Sequence, residues 1–342
     1  MGVGSSSRQI HFGTDGWRGI IAQDFTFAKV RQVTQAIARY LQPKYRPERP
    51  VIVGYDTRFL ADRFAEAAAE TLAGLGWRVK IAERDCPTPA IAYQVKHLNA
   101  AGALMFTASH NPPNYCGLKY IPDYAGPATT EITDGIVAQL SGGETLPPKQ
   151  MVGDNPAIFP FDPQPDYLKF LYSQVDQGRI RSARLRVSYD ALYSTSRGYL
   201  DTALTACGCQ VTSFHNYRDV LFGGGLPEPS PQQLSALITA VEHDQTDFGL
   251  ATDGDGDRFG IVDNQGNILS ADTVLLLLAR HLLLHKGKTG AIVRTVATTH
   301  LLDQLATAYG LELYETPVGF KYIGAVMRQT SVLIGGGKSR GG

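Results

Sequence analysis

Residues 103–112 read Ala103-Leu104-Met105-Phe106-Thr107-Ala108-Ser109-His110-Asn111-Pro112. The apolar run from Gly102 to Phe106 breaks at once into polar residues. That is the pattern of a buried strand ending in a turn. It sets the Ser109 hydroxyl at the carboxyl end of a strand, where open α/β sheets place their ligands. A second apolar stretch, Phe248 to Thr252, delivers Asp253-Gly254-Asp255-Gly256-Asp257-Arg258. A nucleophile-like serine and a metal-like carboxylate cluster together point to phosphoryl transfer.

Outward from these two turns the chain alternates strand and helix, the signature of an α/β protein. Val51 to Tyr55 reads as a strand, and Leu60, Phe64, Ala68, Leu72 and Leu75 then recur at helical spacing. Arg78 to Ala82 and Ala101 to Thr107 are further strands. Residues 141–165, with six prolines from Pro147 to Pro165, read as a linker. A second unit follows: strand Leu185 to Tyr189, helix Ser196 to Ala206, strand Cys209 to Phe214, helix Pro231 to His243, then Phe248 to Thr252. A third holds helix Val274 to Leu284, strand Ala291 to Thr295, a helix from about Thr298 to Tyr309, and strands Leu313 to Glu315 and Ser331 to Ile334. The expected fold is three similar α/β domains in series, over residues 1–145, 160–268 and 269–342.

Composition narrows the partners. The chain has 342 residues, 43% hydrophobic and 19% charged, with 32 basic and 32 acidic side chains. Zero net charge offers no global field for nucleic acid or an anionic membrane. The most apolar run, Val274 to Leu284, is too short to span a bilayer and carries Arg280 and His281. Met1 to Gln9 has no apolar core of a secretory signal. Cys86, Cys116, Cys207 and Cys209 lack the spacing of a zinc site and read as buried free thiols in a reducing cytoplasm.

The glycines between Asp253, Asp255 and Asp257 let the backbone turn tightly, so that three carboxylates converge. Uncompensated, they would repel, so a cation fits better than a solvated acidic turn. Hard oxygen donors with open positions suit Mg²⁺. An EF-hand fails, because Arg258 stands where that loop needs glycine and Asn264 where it needs glutamate. Around Ser109 the Gly-x-Ser-x-Gly elbow is absent, with Thr107 and Asn111 at the glycine positions. A turn in which Ser109 and Asn111 only satisfy backbone groups has the same local sequence, so this motif alone leaves both readings open. His110 sits next to the serine, an unusual position for a triad base. His11 to Gly19 is a glycine-rich segment that can bring Arg18 to a phosphate. Gly337-Lys338-Ser339 is not a P-loop, since Val332 replaces the first glycine.

Taken together, Phe12 to Gly19, Thr107 to Pro112, Gly117-Leu118-Lys119, Asp253 to Arg258 and Thr316-Pro317-Val318-Gly319-Phe320-Lys321 resemble the α-D-phosphohexomutase family, in its prokaryotic phosphoglucomutase/phosphomannomutase form. The resemblance runs the length of the chain. It implies mixed sheets flanked by helices, with Ser109 and the Asp loop meeting in a central cleft. It implies an isomerase that moves a phosphate between the 1 and 6 positions of a hexose, glucose first, through a phosphoserine at Ser109 and a bisphosphate intermediate. Mg²⁺ would be held by Asp253, Asp255, Asp257 and an oxygen of phosphorylated Ser109. Lys119, its pKa lowered by burial and nearby cations, would serve in acid/base work. Arg18, His110 and Arg258 would complete the catalytic set, and Lys321 would touch the sugar. A hexose 1,6-bisphosphate would act as activator, and a phosphorylated hexose as the partner; no oligomeric state follows. The bland counterparts are a salt bridge from Arg258 to its own loop and a solvated Lys321.

One stretch departs from the family pattern. Gly336-Gly337-Lys338-Ser339-Arg340 stands where a Gly-Glu-x-Ser-Gly sugar loop is expected, and the fourth family domain does not follow. This reads as a truncation, such as a frameshift near Gly336, and it implies weak or no turnover. The competing readings are an Mg²⁺-dependent sugar-phosphate phosphatase and an inactive sugar-phosphate-binding fragment.

Overall fold

A computed structural model describes residues 10, 12–13, 16–140, 157–244 and 246–337. His11, Thr14, Asp15, most of the proline-rich stretch and the tail from Lys338 lie outside the described residues. The chain forms two compact units, Met1–Asn267 and Ile268–Gly342.

In chain order the first unit begins with β1 (Phe12–Gly13), β2 (Gly16–Ile20), α1 (Phe27–Leu41), β3 (Val51–Tyr55), α2 (Ala61–Gly74), β4 (Val79–Ala82), α3 (Thr88–His97), β5 (Gly102–Phe106), β6 (Tyr115–Pro122), α4 (Thr130–Ala138) and β7 (Ile158–Phe161). Its strands form one mixed sheet in the order β1-β2-β6-β5-β3-β4-β7. β5 is central, parallel to β3 and antiparallel to β6, and all five of its residues are buried. That is why Gly-Ala-Leu-Met-Phe runs apolar without alternation.

Helices cover this sheet because their apolar positions recur at helical spacing. α1 buries Val30, Val33, Ile37 and Leu41, and the Thr26 hydroxyl caps it by accepting from Lys29 N. α2 packs a row of alanines with Phe64 and Leu72. Phe25 joins the layers. It stacks on Trp17 at 4.3 Å and meets Phe64 and Phe106 edge-on at 4.9 and 6.4 Å. Phe106 is the last residue of β5, so this aromatic cluster seats the strand that carries Ser109.

The same unit continues with α5 (Gln164–Gln174), α6 (Gln177–Ala183), β8 (Arg186–Asp190), α7 (Leu200–Ala206), β9 (Gln210–Phe214), α8 (Ser235–His243), β10 (Phe248–Thr252) and β11 (Phe259–Val262). The strands order as β11-β10-β8-β9, with β10 parallel to β8 and antiparallel to β11. The pair Thr252 and Phe259 closes the β10–β11 hairpin around the Asp loop.

The second unit holds α9 (Ala271–Leu284), β12 (Ala291–Thr295), α10 (Leu301–Tyr309), β13 (Leu313–Thr316), α11 (Phe320–Gln329) and β14 (Val332–Gly336). Its parallel sheet runs β13-β12-β14. On central β12, the nearly buried Arg294 pairs with Asp303 and Glu315, each at 2.7 Å.

Three sheets flanked by helices bear out the α/β expectation. Some details differ. Ile158–Phe161, read as linker, is a strand paired with β4. The helix expected from Ser196 begins at Leu200, because Leu192 and Tyr193 are left-handed and the Asp190 carboxylate accepts from Leu192 N. The helix expected from Pro231 begins at Ser235. All four cysteines are free and buried. Among the described residues no helix is long and apolar enough to cross a membrane.

Phe25→Ala is expected to lower stability by about 3–5 kcal/mol. Both tryptophans, Trp17 and Trp77, lie in the first unit, so their fluorescence during urea unfolding reports on it. A loss under about 1 kcal/mol would show that the aromatic cluster does not seat β5.

Candidate active site

After β5 the chain turns sharply. Ser109 takes a left-handed backbone (φ 51°), which costs a non-glycine residue about 1–2 kcal/mol. Local bonds hold it there. Ser109 N donates to Thr107 Oγ1 at 2.8 Å, and Asn111 N to Ala108 O at 3.0 Å.

The larger support comes from a residue the motifs do not reveal. Arg58, fully buried, donates through Nη2 to Ser109 O and Asn111 O, each at 2.7 Å. Through Nη1 it donates to Pro112 O at 2.7 Å and Tyr115 O at 3.1 Å. Its Nε donates to Asp56 Oδ2 at 3.1 Å, and its guanidinium lies 5.2 Å from the Phe222 ring centre. One planar group thus donates to four carbonyls of an otherwise irregular loop. Burial raises the Asp56 carboxyl to about 6, against the opposing pull of Arg58. The available signal was position: Asp56-Thr57-Arg58 leaves the carboxyl end of β3, the strand beside β5.

The Asp loop approaches Ser109 from the β10–β11 hairpin. Ser109 Oγ donates to Asp253 Oδ2 at 3.1 Å. Asp253 Oδ1 accepts from Arg258 N at 3.0 Å. The approach is close enough to require glycine: a Cβ on Gly254 would lie 2.5 Å from Ser109 O. Gly256 is left-handed (φ 70°), and a Cβ there would meet Ser196 Oγ at 2.6 Å. Lys119, on β6, donates to Asp255 Oδ2 and Asp257 Oδ2, both at 2.9 Å. Thr88 Oγ1 donates to Asp255 Oδ2 at 2.6 Å.

Electrostatics separate the three carboxylates. Burial, then the charges of Asp255 and Asp257, push Asp253 well above the usual range. Burial would also raise Asp255, but Lys119, the Thr88 hydroxyl and Arg18 outweigh it and hold the carboxyl at about 2. His110 is lowered to about 4 by burial and by Arg258 and Arg18. Its Nδ1 lies 3.4 Å from Ser109 Oγ, at the edge of hydrogen bonding.

A divalent cation fits this donor set. Asp253, Asp255 and Asp257 each place an oxygen within 4.8 Å of the others. Asp255 Oδ1 is buried and finds no hydrogen-bond partner among the described residues. An orphaned buried carboxylate oxygen among hard donors is what a Mg²⁺ site leaves for its ion.

The structure gathers eight of the nine expected residues in the first unit: Ser109, His110, Lys119, Arg18, Arg258 and the three aspartates. Arg18 Nη1 donates to Asn111 Oδ1 at 2.6 Å. Lys119 lies between two carboxylates. Arg258 pairs its guanidinium with Glu228 at 3.3 Å, and its backbone serves its own loop, the N–H donating to Asp253 Oδ1 and the carbonyl accepting from Asp253 N. Lys321 lies in the second unit, at the start of α11, with its Nζ 5.0 Å from the Tyr322 ring centre. Lys338 to Arg340, the departing stretch, lie outside the described residues.

Serial α/β domains that set a strand-end serine against an acidic triad define the phosphohexomutase class of intramolecular phosphotransferases. Models of the phosphoglucomutase/phosphomannomutase alpha/beta/alpha domains I, II and III match residues 9–146, 165–266 and 270–342. The phosphoglucomutase/phosphomannomutase of Thermococcus kodakarensis is 30% identical over 96% of this chain and 72% of its own. The phosphoglucosamine mutase of Caldanaerobacter subterraneus subsp. tengcongensis is 30% identical over 96% and 72%. A crystal structure of a Thermus thermophilus protein assigned as a phosphomannomutase superposes with a TM-score of 0.88 at 34% identity, over 96% of this chain and 74% of that one. The chain belongs to the α-D-phosphohexomutase family.

The geometry makes two features measurable. Arg58→Met leaves Asp56 buried without its ion-pair partner and takes the guanidinium donor from four carbonyls, and is expected to cost about 3–5 kcal/mol in chemical denaturation. A loss near zero would mean that the loop supports itself. The folded His110 imidazole is expected to titrate near pH 4 by NMR, against about 6.5 unfolded. Between those values the unfolded chain binds a proton that the folded chain lacks. The stability tied to neutral His110 is therefore complete above about pH 6.5 and declines as pH falls toward about 4. His110→Gln should flatten that slope, and a folded midpoint of 6.5 or higher would contradict the assignment.

Proposed function

We propose that this chain interconverts hexose 1-phosphate and hexose 6-phosphate, with glucose as the hexose, by way of a phosphate carried on Ser109. The observation that carries this reading is the Ser109 hydroxyl 3.1 Å from Asp253, within a cluster whose Asp255 keeps one oxygen unsatisfied. A phosphate on Ser109 would add charge to this acidic cluster, which favours a counter-cation there. Asp253, Asp255 and Asp257 would hold Mg²⁺ together with an oxygen of the phosphoserine. When bound, the ion neutralises charge on the phosphoryl group in transfer.

The chain's own residues do the rest. Arg58 and Asp56 fix the serine loop. Arg18, His110 and Arg258 surround the serine with groups that attract phosphate oxygens. In the first half-reaction the C6 hydroxyl oxygen of glucose 1-phosphate bonds to phosphorus and the P–Oγ bond breaks. The bonding pair stays on Ser109 Oγ. We assign the hydrogen-bonded Lys119–carboxylate group as the relay that takes the C6 hydroxyl proton and supplies one to Ser109 Oγ; after the bisphosphate reorients, the relay runs in reverse, taking the Ser109 proton as the serine accepts the other phosphate and supplying one to the freed sugar oxygen at C1. Hexose 1,6-bisphosphate primes an unphosphorylated chain by the same step. The division of labour follows the expected domains: serine loop in 1–145, acidic loop in 160–268, and sugar contact through Lys321 in 269–342. The setting is cytoplasmic sugar-phosphate metabolism.

The chain should be incubated with glucose 1-phosphate, Mg²⁺ and glucose 1,6-bisphosphate, beside Ser109→Ala. Glucose 6-phosphate is expected from the native chain, with a drop of about a thousandfold or more in the variant. Mass spectrometry should place one phosphate on Ser109. Turnover retained in Ser109→Ala would overturn the reading. Release of inorganic phosphate without isomerisation would replace it with the phosphatase.

A further inference from the structure

Thr88 is the first residue of α3, directly after Pro87, and α3 has no side-chain cap. Elsewhere in the chain Thr26, Asp176 and Ser270 use their side-chain oxygens to cap their own helices. Thr88 directs its hydroxyl elsewhere. It donates to Asp255 Oδ2 at 2.6 Å, and Thr88 N donates to the Asp255 backbone oxygen at 2.8 Å. The first sheet's α3 is thereby fastened to the acidic loop of the second sheet at two points.

The pattern of partners on Asp255 is asymmetric. Oδ2 accepts from both Thr88 and Lys119, whereas Oδ1 is buried with no partner among the described residues. An aspartate side chain turns broadly about its last torsion, and its two oxygens are chemically equivalent. Lys119 alone does not fix that torsion, because its ammonium rides on a flexible stem and is shared with Asp257. The Thr88 hydroxyl, anchored to a helix start that is itself bonded to the Asp255 backbone, does.

We propose that Thr88 is a positioning residue for the cation site: by engaging Asp255 Oδ2 it leaves Oδ1 as the oxygen presented to a divalent ion. The inference rests on the metal reading given under Proposed function. Partners that orient a ligating group are commonly worth 10- to 100-fold in metal affinity.

The test uses Mn²⁺ as probe on the full chain, with binding followed by electron paramagnetic resonance in the absence of sugar phosphate. Thr88→Val keeps the shape and removes the donor, Thr88→Ala removes the donor without branching, and Thr88→Ser keeps the hydroxyl. Affinity is expected to fall about tenfold or more in T88V and T88A and to stay within about twofold of native in T88S. A purely structural staple would lower the melting temperature of T88V and T88A and leave their Mn²⁺ affinity native; that result overturns the proposal. Loss in T88S equal to that in T88V overturns it as well. A native chain that binds no Mn²⁺ removes the metal reading itself, which separates the two failures.

Discussion

Gathering negative charge into one loop, with two of its three carboxylates buried, is the constraint on which the rest of this structure depends. Two like charges 4 Å apart repel by about 4 kcal/mol at an effective dielectric of 20, and here three carboxylates share one loop. The chain answers with donors brought from distant segments. Lys119 comes from β6, Thr88 from the start of α3, and Arg18 and Arg258 act on His110 beside them. The opposite displacements of Asp253 and Asp255 record how unevenly those donors fall. Asp255 receives two strong donors and stays ionised. Asp253 receives one amide and the serine hydroxyl, and its carboxyl is pushed above the usual range by burial and by its two neighbours' charges.

Close approach is the second demand. Ser109 O is wedged between the Arg58 guanidinium and Gly254, where no side chain fits. The left-handed serine, the glycines and the buried arginine therefore form one device. The loop can be irregular because Arg58 supplies the hydrogen bonds that a strand or helix would otherwise supply. Arg58 can be buried because Asp56 and four carbonyls receive it. The cost of this arrangement is carried by the dense aromatic and alanine packing of the first sheet and α2.

The legibility of these features in the sequence follows their range. Ser109 and the three aspartates were readable because their chemistry is written in consecutive residues after apolar runs. Arg58 and Thr88 were not, because each acts on residues more than fifty positions away and their own neighbours carry no unusual pattern. Strand β7 was read as linker on account of its proline. An edge strand tolerates Pro160, since the missing N–H falls where no ladder bond is required, and β7 is the edge next to β4. The late start of α7 has a similar origin. Asp190 and two left-handed residues hold a tight turn that periodicity does not register.

The separation of chemistry from recognition explains a feature of the relatives. One is named for glucose and mannose and another for glucosamine, yet each is 30% identical to this chain over nearly its whole length. The proposed transfer of a phosphoryl group calls only on Ser109, its loop and the acidic cluster, all held within the first unit. A single phosphoryl-transfer apparatus can thus serve several hexoses while the residues that contact the sugar ring vary, and Lys321 on α11 is the kind of position at which that variation would act.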